Sequence, residues 1–164
     1  MSRDGPASAF ESVAAGIDYP MFVVTTVARG ARAGCLVGFA TQVSLEPARF
    51  LACISRVNDT HRVAGAAEHL AVHVLARDAM GTARLFGEHS ADDVDKFARC
   101  QWSTETHGLP ILQEAVAWFG GPIRARTNMG DHTGLVIEPD CGQVRESPIE
   151  ALMFADVVDF SPGH

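Results

Sequence analysis

Apolar and polar positions alternate in short blocks along this chain, with few long helical periods. Ala7 to Ala15 is a short helix candidate that Gly16 ends. From Tyr19 the texture turns β-branched and aromatic, and Met21 to Val27 reads as a strand. Ala28-Arg29-Gly30-Ala31 supplies a turn, predicting a hairpin into Gly34–Leu45, which Pro47 breaks. Phe50 to Ile54 and Leu70 to Leu75 are continuous apolar runs, expected as strands buried on both faces. Ala115–Phe119, Ile123–Thr127 and His132–Glu138 read as further strands.

Three short helices punctuate this β pattern. Thr60 is the expected N-cap of a turn carrying Val63, Ala64 and Ala67. Asp78 is the expected cap of a helix through Met80, Ala83 and Phe86, with Gly87 at its end. Ser90-Ala91-Asp92-Asp93 resembles a capping box ahead of Val94, Phe97 and Ala98. Many strands with few helices predict a mainly β fold, a closed or half-closed barrel with peripheral helices. Strict β–α alternation is missing, and no G-x-G-x-x-G or G-K-[ST] occurs, so a doubly wound nucleotide fold is not expected.

Length sets one domain, 1–164, with a barrel core over about 19–140 and a C-terminal extension over 141–164. In the extension, Ile149, Leu152, Met153 and Phe154 suggest a segment tied down on the core. Lys+Arg 13 against Asp+Glu 20 gives −7, so the chain lacks the field of a nucleic-acid or anionic-membrane binder. An anionic ligand then depends on a few local groups. No apolar run is long enough for a membrane helix, and Met1 to Phe10 lacks a signal-peptide core. Cys35, Cys53, Cys100 and Cys141 form no C-x-x-C pair and are read as reduced, mostly core residues of a cytoplasmic protein.

Three stretches carry candidate chemistry. Ser55-Arg56-Val57-Asn58-Asp59-Thr60 follows a strand and opens a helix, where free N–H groups and a partial positive charge suit a phosphate. Arg56 adds a forked cation, and Ser55, Asn58 and Thr60 add neutral donors. The plainer reading is an ordinary cap beside a solvated arginine. Gly130-Asp131-His132-Thr133 turns into a strand and sets His132 where a pocket mouth is possible; a simple turn also explains it. Gly34–Ser44 is rich in small and hydroxyl residues, which fits close approach of a flat ring to the backbone, or a bulge at a barrel corner. No metal site is expected. His69 and His73 are four apart, but strand spacing puts them about 13 Å apart, too far to share an ion. Neither a nucleophilic cysteine nor a serine-hydrolase elbow has support.

The order of these elements is more specific than any one of them. It runs from Gly34…Ser44-Leu45-Glu46-Pro47, through Ser55-Arg56…Thr60, Leu70–Leu75, Ala83–Gly87 and Asp95-Lys96-Phe97, to Gly108–Leu112 and Gly130-Asp131-His132-Thr133. This succession, over about Tyr19 to Glu138, resembles the flavin reductase-like family, the FMN-binding split β-barrels of Greek-key type. The resemblance implies a homodimer binding FMN or FAD near its interface, with NAD(P)H as co-substrate. Gly38, Phe39, Ala40, Thr41 and Gln42 would face the flavin ring and ribityl chain. Ser55, Arg56, Asn58 and Thr60 would face the phosphate, and Phe86 joins the cofactor-binding set. His132 is the catalytic candidate, docking the nicotinamide or relaying a proton. The chain departs from the family where Leu36-Val37-Gly38-Phe39 replaces a polar Thr-x-Asn-Ser run, where Ala48 replaces a proline, and where His73 replaces an asparagine.

The implied activity is NAD(P)H-dependent flavin reduction, supplying reduced flavin to a partner monooxygenase. Two alternatives stand beside it: a non-catalytic FMN-binding electron carrier or partner subunit, and a deazaflavin-dependent reductase of the same barrel. The longer acidic tail of a deazaflavin asks for more cations than a chain whose only lysine is Lys96 provides near Arg56.

Overall fold

A computed structural model of the chain describes residues 5–90 and 94–161. In chain order the elements are α1 (Pro6–Gly16), β1 (Phe22–Ala28), β2 (Ala31–Val37), β3 (Ala40–Leu45), β4 (Ala48–Ser55), α2 (Asp59–Ala66) and β5 (His69–Val74). There follow α3 (Met80–Glu88), β6 (Trp102–Thr104), β7 (Pro110–Leu112), β8 (Ala117–Asn128), β9 (His132–Ile137), β10 (Cys141–Val144) and α4 (Phe154–Val157). Short 3₁₀ turns sit at Lys96–Ala98 and Thr106–Gly108.

One antiparallel path runs β2-β1-β5-β8-β9-β4-β3, with β10 on β8 and β6-β7 as a separate ribbon. The chain leaves β4 through α2 and returns as β5 beside β1. The β1–β2 turn has φ of 51° at Arg29 and 77° at Gly30, the double left-handed geometry that follows the strands' twist.

The core has two layers. Phe22, Val24, Val37, Ile54, Val72 and Ile137 fill the space enclosed by the sheet. Met21, Val23, Leu75, Phe86, Phe97 and Leu152 pack behind β1, between it and α3. Both faces of β1 and β5 are therefore buried, which explains their unbroken apolar runs. His73 is fully enclosed. Its Nδ1 donates to the Val23 carbonyl at 2.9 Å, and its Nε2 accepts from the Leu112 N–H at 3.2 Å. Each bond uses one nitrogen of a neutral imidazole.

Several local expectations need correction. The Gly34–Leu45 run is two strands, broken at Gly38-Phe39, and Tyr19 packs over Gly38, where a Cβ would fall 2.7 Å from its Cε2. β4 is not buried on both faces: Ala52 and Ile54 point inward, while Leu51 and Cys53 on the other side are only half-buried. The stretches expected as separate strands near 115–119 and 123–127 fuse into β8, with a register shift between Ile123 and Ala125. Gly121 lies in mid-strand, where a Cβ would overlap the Glu138 carbonyl.

The helix ends also differ. Asn58, not Thr60, caps α2, accepting the Thr60 N–H at 2.9 Å. The N-cap of α3 is Ala79, without a side-chain bond, and Gly87 lies within the helix. Ala91, Asp92 and Asp93 of the expected capping box lie outside the described residues. Beyond them Asp95 caps only a 3₁₀ turn, accepting from Phe97 N–H at 3.2 Å. All four cysteines are free, but only Cys35 is fully in the core. The segment after 140 joins the barrel. β10 pairs with β8, and Leu152, fully buried, links through its backbone to Met21 and Leu75.

Candidate functional site

The bend between β2 and β3 opens onto a cavity of about 190 Å³. Gly38 and Phe39 form one lip, Ser55 at the end of β4 and His132 at the start of β9 form the opposite one, and Asn58 closes the side at the α2 cap. Strand pairing brings Ser55 and His132 together as direct cross-strand partners. Phe86, 1% exposed, forms the floor from α3. A larger, open cleft of about 860 Å³ lies along α3, bounded by Arg84, Arg99 and Glu114, and contains none of the expected catalytic or cofactor-binding residues. We place the site in the smaller cavity because backbone groups, neutral donors and one imidazole converge there on apolar walls.

Six of the eleven expected residues line this cavity: Gly38, Phe39, Ser55, Asn58, Phe86 and His132. Ala40 lies on the β3 side, partly buried against the barrel core, while Thr41 and Gln42 run outward on exposed β3, where Gln42 Nε2 donates to the Ser44 carbonyl at 3.1 Å. Arg56 is exposed one residue past Ser55, and its guanidinium makes no hydrogen bond or ion pair among the described residues. Thr60 is 2% exposed beneath the α2 cap and does not line the cavity. Nor are Gly34 and Gly38 open to a ligand on their Cβ side, because Phe86 fills the space over Gly34 and Tyr19 and Met21 fill it over Gly38.

Sequence reasoning missed Tyr19 and Phe154. Their rings stack at 4.8 Å and form the far wall, with Tyr19 6.5 Å from Phe39. The tied-down C-terminal segment was legible; its use as a pocket wall was not, since no local pattern says where a packed aromatic points.

His132 is 5.1 Å from the Phe39 ring, tilted by 53°. Its Nδ1 lies 2.7 Å from Asp131 Oδ1, which leaves Nε2 without a protein partner among the described residues. The bond to His132, reinforced by the imidazole's charge, holds the exposed Asp131 carboxyl below its ordinary range. The cavity thiols stay protonated at neutral pH. Burial pushes Cys35 up to about 11, against the opposing pull of Lys96 and Thr60, and burial also raises Cys53. Neither thiol therefore adds a negative charge to the walls. At the α2 N-terminus Asp59 sits in the first turn, paired with Arg62 at 3.2 Å. A resident carboxylate there takes up the positive end that would otherwise serve an anion.

Comparison with known proteins agrees with this geometry. Residues 14–159 match the flavin reductase like domain. The chain is 30% identical over 117 residues to the stachydrine N-demethylase reductase subunit Stc3 of Rhizobium meliloti, covering 69% of this chain and 50% of that protein. It is 29% identical over 133 residues to the FMN reductase (NADH) RutF of Variovorax paradoxus, covering 81% and 73%. Among solved structures, the NADH:FAD oxidoreductase SgcE6 of Streptomyces globisporus superposes with a TM-score of 0.83 at 27% identity, covering 95% of this chain and 94% of that one. The chain belongs to the flavin reductase-like family, and its sheet is that family's split β-barrel. It spans half the length of the first of these relatives.

Proposed function

We propose that the chain is an NAD(P)H-dependent flavin reductase that moves hydride from the nicotinamide to FMN or FAD. The observation that carries this reading is the convergence of Phe39, Ser55, Asn58 and His132 on one apolar-walled cavity in a chain of this family. The flavin supplies the hydride acceptor; the protein supplies position and surroundings. Mostly apolar walls and the backbone at the Gly38–Phe39 bend suit a flat, weakly polar ring. Ala40, Thr41 and Gln42 continue along β3 in the direction a ribityl chain would take. Ser55 and Asn58 offer hydrogen bonds, and the free guanidinium of Arg56 is the cation within reach of a phosphate. Buried Thr60 acts behind this set, beneath the Asn58 cap. His132, held by Asp131 and facing Phe39, presents Nε2 to a nicotinamide carboxamide stacked at the mouth.

At about 190 Å³ the cavity is smaller than the roughly 300–1,000 Å³ usual for a cofactor cleft, so one chain supplies part of the wall. The uncovered apolar side of β4 fits the remainder coming from a second copy, making the working unit a homodimer. Reduced flavin then passes to a partner monooxygenase. Four free cysteines fit a reducing, cytoplasmic setting. No helix among the described residues is long and apolar enough to cross a membrane.

The test is a flavin difference spectrum followed by NADH oxidation with and without added FMN. Wild type is expected to perturb the flavin bands and to oxidise NADH only with flavin present. In His132→Ala the nicotinamide KM is expected to rise about tenfold, the worth of one hydrogen bond of ~1.4 kcal/mol, with FMN affinity unchanged. Absence of flavin-dependent NADH oxidation by the folded wild type would overturn the proposal. An unchanged KM in His132→Ala would remove that residue's role alone.

A further inference from the structure

Three side chains of metal-ligating type meet at the turn before β10. His107 Nε2 stands 3.0 and 2.9 Å from the two carboxylate oxygens of Asp140. One ligand atom each from His107, Asp140 and Cys141 lies within 4.8 Å of the other two, the only such group of His, Cys, Asp and Glu among the described residues. None of the three lines the cavity described above.

The fold holds these groups from independent directions. His107 adopts a left-handed backbone, φ 63° and ψ 16°, and Gly108 follows at φ 71°. Only Arg29 shares this conformation among the described non-glycine residues. An L residue enters that region against a steric penalty, although histidine is among the more tolerant. The paired left-handed residues turn the His107 ring toward β10, and His69 stacks on it at 3.8 Å and 14°, which fixes its plane. Asp140 is anchored by its N–H, which donates to the Gly120 carbonyl at 2.9 Å, and the Cys141 thiol donates to the same carbonyl at 3.3 Å.

A His–Asp hydrogen bond alone accounts for two of the three groups. The Cys141 thiol, donating to the Gly120 carbonyl, brings a sulfur to the same point. Nitrogen, oxygen and sulfur donors together suit a borderline divalent ion. Around a tetrahedral zinc with bonds of roughly 2.0–2.3 Å, donor atoms stand roughly 3.5 Å apart, a spacing these side chains reach by small rotations. The His107 and Asp140 side chains are 25% and 46% exposed, which leaves a way in for the ion and for a water ligand.

We propose that His107, Asp140 and Cys141 form a divalent transition-metal site of the zinc type, with three protein ligands and a fourth position open to solvent. His69 is a positioning residue that orients the His107 ring. On binding, the Cys141 S–H bond breaks, an Sγ–metal bond forms, and the proton leaves to solvent; no electron moves. The ion would clamp the Thr106–Gly108 turn to the β9–β10 connection, 33 residues away in sequence.

The experiment takes the full chain, stripped with EDTA, and titrates it with Co²⁺ as the spectroscopic probe, followed by Zn²⁺. One equivalent of cobalt is expected to give a thiolate-to-cobalt charge-transfer band in the near ultraviolet with strong visible bands, and zinc is expected to bleach both. Cys141→Ser is expected to abolish the charge-transfer band, Cys100→Ser to leave it intact, and His107→Ala to weaken binding at least about tenfold. Asp140→Asn keeps the shape and is expected to weaken binding if His107→Ala proves unstable. Flavin-dependent NADH oxidation should not change in any of these variants, so this outcome is read separately from the proposed activity. A folded wild type without the band, or a band that survives Cys141→Ser, overturns the site.

Discussion

The two ends of the main sheet are built differently. Around β1 and β5 every side chain meets protein on both faces, and Val23, Val24, Leu70, Ala71 and Val72 have no exposed surface. Around β3, β4 and β9 only one face is filled. Phe39, Val43, Leu45 and Met129 stand 57%, 48%, 85% and 49% exposed, and the Leu51 and Met129 side chains both lie over Gly134. The first end has the composition of a finished core. The second has core-like residues without a cover, an arrangement typical of surfaces that meet another molecule. The covered end thus carries the core, and the cavity proposed as the site lies along its seam with the other end.

The strongest way to break this contrast is to damage the covered end. Gly121→Ala puts a methyl into the Glu138 carbonyl, where only backbone could yield. It is expected to cost about 3 kcal/mol, lowering Tm by roughly 6–12 °C in a thermal melt. A damaged uncovered end should leave folding intact and remove function. Leu51→Glu is expected to give a monomer by analytical ultracentrifugation, with flavin affinity reduced at least about tenfold (~1.4 kcal/mol) and Tm little changed.

A subtler probe is pH. Burial lowers His73 from an ordinary value near 6.5 to about 4, against the Val23 bond that favours the charged form. Between those values the unfolded chain holds a proton that the folded chain does not. Stability therefore falls as pH drops through that window and levels off below it. His73→Asn, which restores the family's usual residue, is expected to flatten the dependence of Tm on pH over the same range. The smallest effect is reserved for the seam. Asp59→Asn removes the carboxylate at the α2 N-terminus and is expected to tighten FMN a few-fold (~1 kcal/mol or less) without changing riboflavin, as read by fluorescence titration.

Much of this was legible in the sequence, and the gaps have a common cause. The β1–β2 hairpin could be read because its turn chemistry is local. β5 could be read because burial on both faces leaves no polar position. Motif order located Gly38, Phe39, Ser55, Asn58, Phe86 and His132, which the fold does gather. The failures are places where a distant segment decides. β4 looks the same in sequence whether its second face is covered by its own chain or left for another. Gly34 in β2 looks like a ligand or bulge signal, but its missing side chain makes room for Phe86. Thr60 reads as a cap, but Asn58, two residues earlier, caps the helix by accepting the N–H of Thr60 itself.

One feature of the covered end reaches beyond folding. The chain's single lysine, Lys96, is 6% exposed, and its Nζ donates to the Gly34 carbonyl at 3.0 Å and the Phe86 carbonyl at 3.4 Å. Every other basic side chain that is charged at neutral pH is an arginine. Acylating reagents, crosslinkers aimed at amines, and enzymes that modify lysine side chains will find almost no accessible target on the folded molecule. Labelling of Lys96 would instead report that the layer behind β1 has opened.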